Sequence, residues 1–267
     1  MEWPNNAPYV LCLSHDVDRI KKQWYHYIVY GIKHPVIQIK SLWYKMIGKE
    51  PYDNFKQLIS LEESYGVKST FFFLNEGHKE ISPNFMGRYD INSNRVVNLI
   101  KYIDSKGYDI GLHGSYYSYN DLVMLKREKG ILEGILGHPV VCSRQHHLNR
   151  NARTLKIQAE IGIKYDSTIG CSRMVCDEKF CRTEEGIIEI PITLMDTVLL
   201  SDEVFNKCRE VAHKGGIMML DFHQCHFNEL EYPQNVKMYE KLLKMAKEDR
   251  AWIASVREVG EWLDERL

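Results

Sequence analysis

Four short segments place acid–base and metal-ligand side chains at the ends of apolar runs. They are "SHDVD" (Ser14–Asp18), "LHGSYYS" (Leu112–Ser118), "SRQHHL" (Ser143–Leu148) and "DFHQCHF" (Asp221–Phe227). Side chains two apart in a strand share a face, so Asp16 and Asp18 point together, as do Arg144 and His146. Two carboxylates on one face repel unless a cation or a proton separates them. If one ligates a cation while the other acts as a base, the conflict is resolved. His15 falls on the opposite face, either as support behind the site or as packing. A single buried His is ordinarily a satisfied core residue. Four independent run ends rich in His, Asp and Arg point instead to one converging site.

The elements that must carry these residues can be read from the same pattern. Apolar runs begin near Tyr9, at Lys68–Asn75, at Tyr108–Ser115, at Val140–Leu148, in "IKYDSTIG", in "GIIEIPI" and in "GGIMMLDFHQ"; "AWIASVREVGEWL" reads as a last strand passing into a closing helix. Between them lie helix-like stretches such as "NFKQLISLEESYG", "RVVNLIKYIDSKG" and "NARTLKIQAEIG", each closed by Gly. Strands separated by Gly-closed helices imply parallel βα units, and strands apolar nearly throughout imply a sheet covered on both faces. Seven or eight such units fill a barrel rather than an open doubly wound sheet. No Gly-rich phosphate loop follows the first strand, which argues against dinucleotide binding. In a parallel barrel the working residues sit at the C-terminal strand ends, where the four polar segments fall.

Composition sets the outer limits. The chain has 267 residues, 44% hydrophobic, with 35 Lys and Arg against 36 Asp and Glu, a net charge of −1. That is enough for a large core and lacks the basic footprint of a nucleic-acid binder. The charge is uneven. Seven of the 35 basic residues lie between Arg19 and Lys49 with no acid among them, leaving 28 against 36 elsewhere. Trp24, Tyr25, Tyr27, Tyr30, Trp43 and Tyr44 interleave with them. Such a segment suits an anionic membrane surface or a phosphate-bearing ligand; a helical insertion with a solvated basic face is the plainer reading. We find no repeat, low-complexity tract or linker, so residues 1–267 read as one domain with an insertion at about 19–49. No apolar stretch is long enough to span a bilayer, and the N-terminus lacks the pattern of a secretory signal. Seven cysteines with no C-x-x-C pair fit free thiols in a reducing cytoplasm. The five-residue spacing of Cys171, Cys176 and Cys181 is too long for the usual zinc hairpin.

Taken together and in order, these segments resemble the polysaccharide deacetylases, the NodB-homology carbohydrate esterases, over most of the chain. The resemblance implies an α/β fold, a distorted (β/α)7 barrel, and a divalent metal, usually zinc. Within that family's pattern, "HDVD" supplies Asp16 as catalytic base and Asp18 as metal ligand. "HGSYY" supplies the ligand His113, with Tyr117 where the family has a second His. "RQHH" supplies Arg144 to hold the base, with His146 where the family has Pro. "YDST" (Tyr165–Thr168) matches a further motif, and His223 in "DFHQ" matches the general acid. His146 shares the Arg144 face and is expected to replace the missing ligand, giving Asp18, His113 and His146. Tyr117 is the alternative third ligand or a substrate contact, and His147 is disfavoured by parity. The "HDVD" form is most similar to a branch associated with cell-surface polysaccharide biosynthesis.

The reaction so implied is removal of an N-acyl group, chiefly N-acetyl, from an amino sugar. Asp166 or Asp221 is expected to support His223, unless these carboxylates serve helix capping or a loop ion pair. Tyr116, Tyr117 and Tyr119 are expected either to stack on a sugar ring or to pack the loop. The substrate is a sugar, nucleotide-linked, lipid-linked or polymeric. The setting is cytoplasmic, with peripheral contact of the basic segment with the inner membrane face as one reading. Two other functions fit the same residues: a metal-dependent C–N hydrolase acting on a non-sugar amide, and a degenerate barrel that binds a glycan.

Overall fold

A computed structural model describes residues 2–77, 88–171, 175, 176, 178–198 and 201–267. The chain runs β1 (Val10–Val17), α1 (Trp24–Gly31), α2 (Pro35–Met46), α3 (Phe55–Ser64), β2 (Thr70–Leu74), α4 (Asn94–Ser105) and β3 (Asp109–Gly114). It continues through α5 (Leu122–Leu136), β4 (Cys142–Gln145), α6 (Thr154–Glu160), β5 (Tyr165–Asp166), β6 (Cys181–Arg182), β7 (Ile188–Glu189) and β8 (Leu194–Met195). It ends with α7 (Asp202–Gly215), β9 (Ile217–Asp221), α8 (Pro233–Glu248), β10 (Trp252–Ser255) and α9 (Val256–Asp264).

The strands form one curled sheet in the order β6-β7-β5-β4-β3-β2-β1-β9-β8, parallel except for the β6–β7 pair. β10 pairs with the first half of β1, from Val10 to Leu13, and β2 pairs with the second half. β1 is therefore the centre of the sheet, and all eight of its residues are buried. Its odd positions Leu11, Leu13 and Val17, with Tyr9 just before the strand, join the core under the helices. Its even positions face the concave side. Val10 and Cys12 pack there with Phe72, Cys142 and Ile188, and Ser14 and Asp16 follow towards the C-terminal end. The interior is thus plugged by apolar side chains below and polar at its mouth, as expected for a parallel barrel.

The predicted strands divide into two groups. The runs at β1, β2, β3 and β9 form long ladders, whereas "IKYDSTIG" pairs only at Tyr165–Asp166, with a bridge from Gly170 to Ile192. In "GIIEIPI", Pro191 has no N–H to donate, and the ladder stops at Glu189 before resuming as β8. The Gly-closed helices are as expected. After α4, Gly107 takes φ 77°, a left-handed turn that suits glycine and ends the helix. At Gly114 an added Cβ would lie 2.2 Å from the buried Gln145 side-chain amide, which would have to move. Among the described residues no helix is long and apolar enough to cross a membrane.

Candidate active site

β1, β3 and β4 bring Asp16, Asp18, His113, Arg144 and His146 together at the mouth of the sheet, all buried. Arg144 organises one half. Its Nη1 donates to Asp16 Oδ1 at 2.8 Å and lies 3.0 Å from Asp221 Oδ1. Nη2 donates to Ser14 Oγ and Ser167 Oγ, and Nε donates to the Ser167 carbonyl. The guanidinium rests 4.6 Å over the Phe72 ring. Burial raises the Asp16 carboxyl, but Arg144, with His113 and His223, outweighs it and holds Asp16 below its usual range. Asp221 goes the other way. Burial and the neighbouring Asp16 push it up to about 7, against the pull of Arg144. One guanidinium between two carboxylates therefore keeps Asp16 ionised and leaves Asp221 readily protonated.

Asp18, His113 and His146 form the other half, with ligand atoms all within 4.8 Å of one another. Asp18 Oδ1 lies 3.4 Å from both His113 Nε2 and His146 Nδ1 and accepts no hydrogen bond, although it is buried. His113 Nδ1 sits 3.0 Å from the Arg144 carbonyl, which can only accept. That contact places an N–H on Nδ1, so Nε2, which faces Asp18, is the nitrogen that could ligate a cation once it carries no proton. An orphaned buried carboxylate oxygen beside two imidazole nitrogens suits a divalent cation of the zinc type. These residues fit the metal that the resemblance implies.

His146 reaches this place differently from the expectation. β4 ends at Gln145, and the chain turns through φ 56° at His147, so strand alternation no longer applies. The turn still directs His146 inwards, while His147 packs edge-on against Tyr116. Tyr117 is 42% exposed and edge-on to Tyr116. His15 faces away from the site, bonded to Glu62 at 2.7 Å and near the Phe222 carbonyl and Tyr239. No three-residue ligand grouping among the described residues contains Cys171, Cys176 or Cys181.

One expectation needs correction. The carboxylate bonded to His223 is Asp196, just beyond β8; Asp221 supports His223 only through its charge, and Asp166 takes no part. Asp196 accepts the His223 backbone N–H at 2.8 Å and lies 3.2 Å from its Nδ1. Asp166 instead accepts from Ser143, Gln158 and Thr168, and Asp221 is drawn to Arg144. Burial disfavours the charged His223 ring, but Asp196 and Asp221 raise its pKa well above the ordinary histidine value. His226 Nδ1 shares the same Asp196 oxygen at 2.8 Å.

Arg88 was also not anticipated. Its Nη1 lies 3.4 Å from Asp18 Oδ2, and its Nη2 donates to His146 Nε2 at 2.6 Å, which keeps the His146 proton on Nδ1 and so opposes ligation through that nitrogen while Arg88 stays in place. On its other side it borders a cleft of about 780 Å³ that Glu76, Ser115, Arg127 and Glu128 also line. For Asp196 the strand-end rule applied to "LMD" was the missed signal. Arg88 sits outside the regular elements, and nothing in its neighbours marks it.

No family model matches the chain, and no curated protein sequence matches it. Solved structures do. A candidate polysaccharide deacetylase from Mycobacterium smegmatis is 19% identical with a TM-score of 0.65, covering 98% of this chain and 92% of its own. A second such candidate, from Pseudomonas aeruginosa, is 13% identical with a TM-score of 0.61, covering 99% and 94%. A Puue allantoinase is 13% identical with a TM-score of 0.62, covering 97% and 91%. The chain has the fold of the polysaccharide deacetylases, a distorted (β/α)7 barrel.

Proposed function

We propose that this protein is a metal-dependent amide hydrolase that removes an N-acyl group, chiefly N-acetyl, from an amino sugar. The observation that carries the reading is the Asp16–Arg144 pair at 2.8 Å set against the Asp18, His113 and His146 triad in one buried array. Asp18, His113 and His146 would hold the cation. Bound there, it would polarise the scissile carbonyl and lower the pKa of water. Arg144 keeps Asp16 ionised, so Asp16 can take the proton of the attacking water. His223, held charged by Asp196, can give its proton to the leaving nitrogen. The "HDVD" resemblance supports a place in cell-surface polysaccharide biosynthesis.

The test is Asp16→Asn, assayed for acetate release from N-acetylated amino sugars with zinc or cobalt supplied. The variant should retain metal and lose about 100- to 10,000-fold in turnover, the usual weight of a general base. Undiminished turnover overturns the assignment. The near-equal likeness to an allantoinase favours a second reading, hydrolysis of a non-sugar amide. A substrate panel that includes cyclic ureides and formamides separates the two.

A further inference from the structure

We propose that the α1–α2 hairpin is a docking surface for an anionic lipid bilayer. Of the 15 exposed large apolar or aromatic side chains among the described residues, 11 lie between Trp24 and Ile47. They include Trp24 at 70% exposure, Ile32 at 84%, Trp43 at 61% and Met46 at 77%. On α2 the positions Val36, Ile39, Trp43 and Met46 repeat at helical spacing and form one outward stripe.

The opposite stripe is polar and faces the protein. Gln38 and Ser41 are buried, and both accept from the fully buried Lys22, whose Nζ also bonds Glu231 at 2.7 Å. Lys45, on the same side, donates to the Lys22 carbonyl at 2.7 Å. The hairpin is therefore inverted relative to a helix that packs on a core in water: its hydrogen-bonding side is inside and its apolar side outside. The hydrophobic effect gives that arrangement no benefit unless the outer side meets an apolar medium.

Charge identifies the medium. The segment from Arg19 to Lys49 contains no acid, and Lys21, Lys33, Lys40 and Lys49 are exposed around the apolar stripe. Basic residues bordering tryptophan and aliphatic side chains match the headgroup and acyl boundary of an anionic bilayer. A second copy of the hairpin would bring the same lysines face to face, so charge disfavours self-association. The hairpin begins at Trp24, six residues after Asp18, and the segment leading to it is tied through Lys22 to Glu231, five residues beyond His226. Docking therefore occurs on the rim that carries the site, and it is independent of the chemistry proposed there.

The test is co-sedimentation of the full chain with vesicles of phosphatidylcholine alone and of phosphatidylcholine with phosphatidylglycerol, with solution mass measured in parallel. The protein should sediment with the mixed vesicles and weaken as salt rises. Lys33→Ala, Lys40→Ala and Lys49→Ala combined should reduce binding by roughly 100-fold, at about a factor of five for each surface lysine. Ile39→Glu with Trp43→Glu should abolish it while far-UV circular dichroism is retained. In the unsubstituted protein, brominated acyl chains should quench tryptophan emission, a readout that needs no variant. Failure to bind mixed vesicles, equal binding by the glutamate variant, or a dimer that the same substitutions dissolve would each overturn the proposal.

Discussion

Arg144 Nη1 lies 2.8 Å from Asp16 Oδ1 across two strands that are not neighbours, because β2 and β3 separate β1 from β4. The curl of the sheet carries the guanidinium over this gap. Its remaining donors are spent on Ser14 and Ser167, so it has little freedom to move. Arg144→Met leaves Asp16 buried without its cation, and breaking a buried pair this way costs about 3–5 kcal/mol. We expect a matching loss in chemical denaturation and loss of hydrolysis. Arg144→Lys should recover part of the stability but little turnover, since one ammonium cannot meet the same acceptors. Full activity in the lysine variant would show that the fork geometry is dispensable.

The triad predicts where metal is lost. His146→Ala removes one of three donors and should lower bound zinc at least tenfold by elemental analysis, whereas Tyr117→Phe should leave it unchanged. The reverse result would make Tyr117 the third ligand.

Arg88 and a cation held by the triad would draw on the same carboxylate. Arg88 approaches Asp18 and donates to His146 Nε2, so its positive charge opposes that of a metal held there. Arg88→Ala should therefore tighten zinc binding by about tenfold, roughly 1.4 kcal/mol, in a competition titration. Weaker binding would show that the guanidinium supports the ligands instead.

Asp196 sets the working pH of His223. The histidine pKa is raised in the folded protein, so His223 stays protonated, and able to act as an acid, above the ordinary histidine range. Asp196→Asn removes the main raising influence, and the basic limb of the turnover profile should move to lower pH. His226→Ala should not lower that limb, because His226 competes for the same oxygen. An unmoved profile in Asp196→Asn would disconnect Asp196 from the acid.

Glu128 predicts a pH effect on stability. Burial is the largest influence and pushes its carboxyl up to about 7, although Ser115 donates to it through both N–H and hydroxyl. A carboxyl whose pKa is raised on folding stabilises while protonated. That contribution is complete below the ordinary 4.5 and is lost as pH rises through about 7. Glu128→Gln, neutral at every pH, should raise the melting temperature relative to the parent at pH 8 and have little effect at pH 5. Equal shifts at both pH values would rule out titration as the cause.

The strands β1, β2, β3 and β9 were legible in the chain because continuous apolar runs and flanking turn residues are local properties. So were Asp16, Asp18, His113, Arg144 and His223, because a parallel sheet delivers its strand ends to one mouth whatever the loops do. The short strands β5, β7 and β8 were less legible: two residues of pairing leave little periodicity, and their register depends on neighbours already in place. Asp196 and Arg88 reach the site from 27 residues before His223 and 70 beyond Asp18, a placement that local spacing does not encode. The hairpin shows the division most clearly. Its apolar stripe and its polar stripe are both written in residues 35–46, but a helix has no inherent inside. The buried Lys22–Glu231 pair, joining residues 209 apart, turned the polar stripe inwards and left the apolar one exposed.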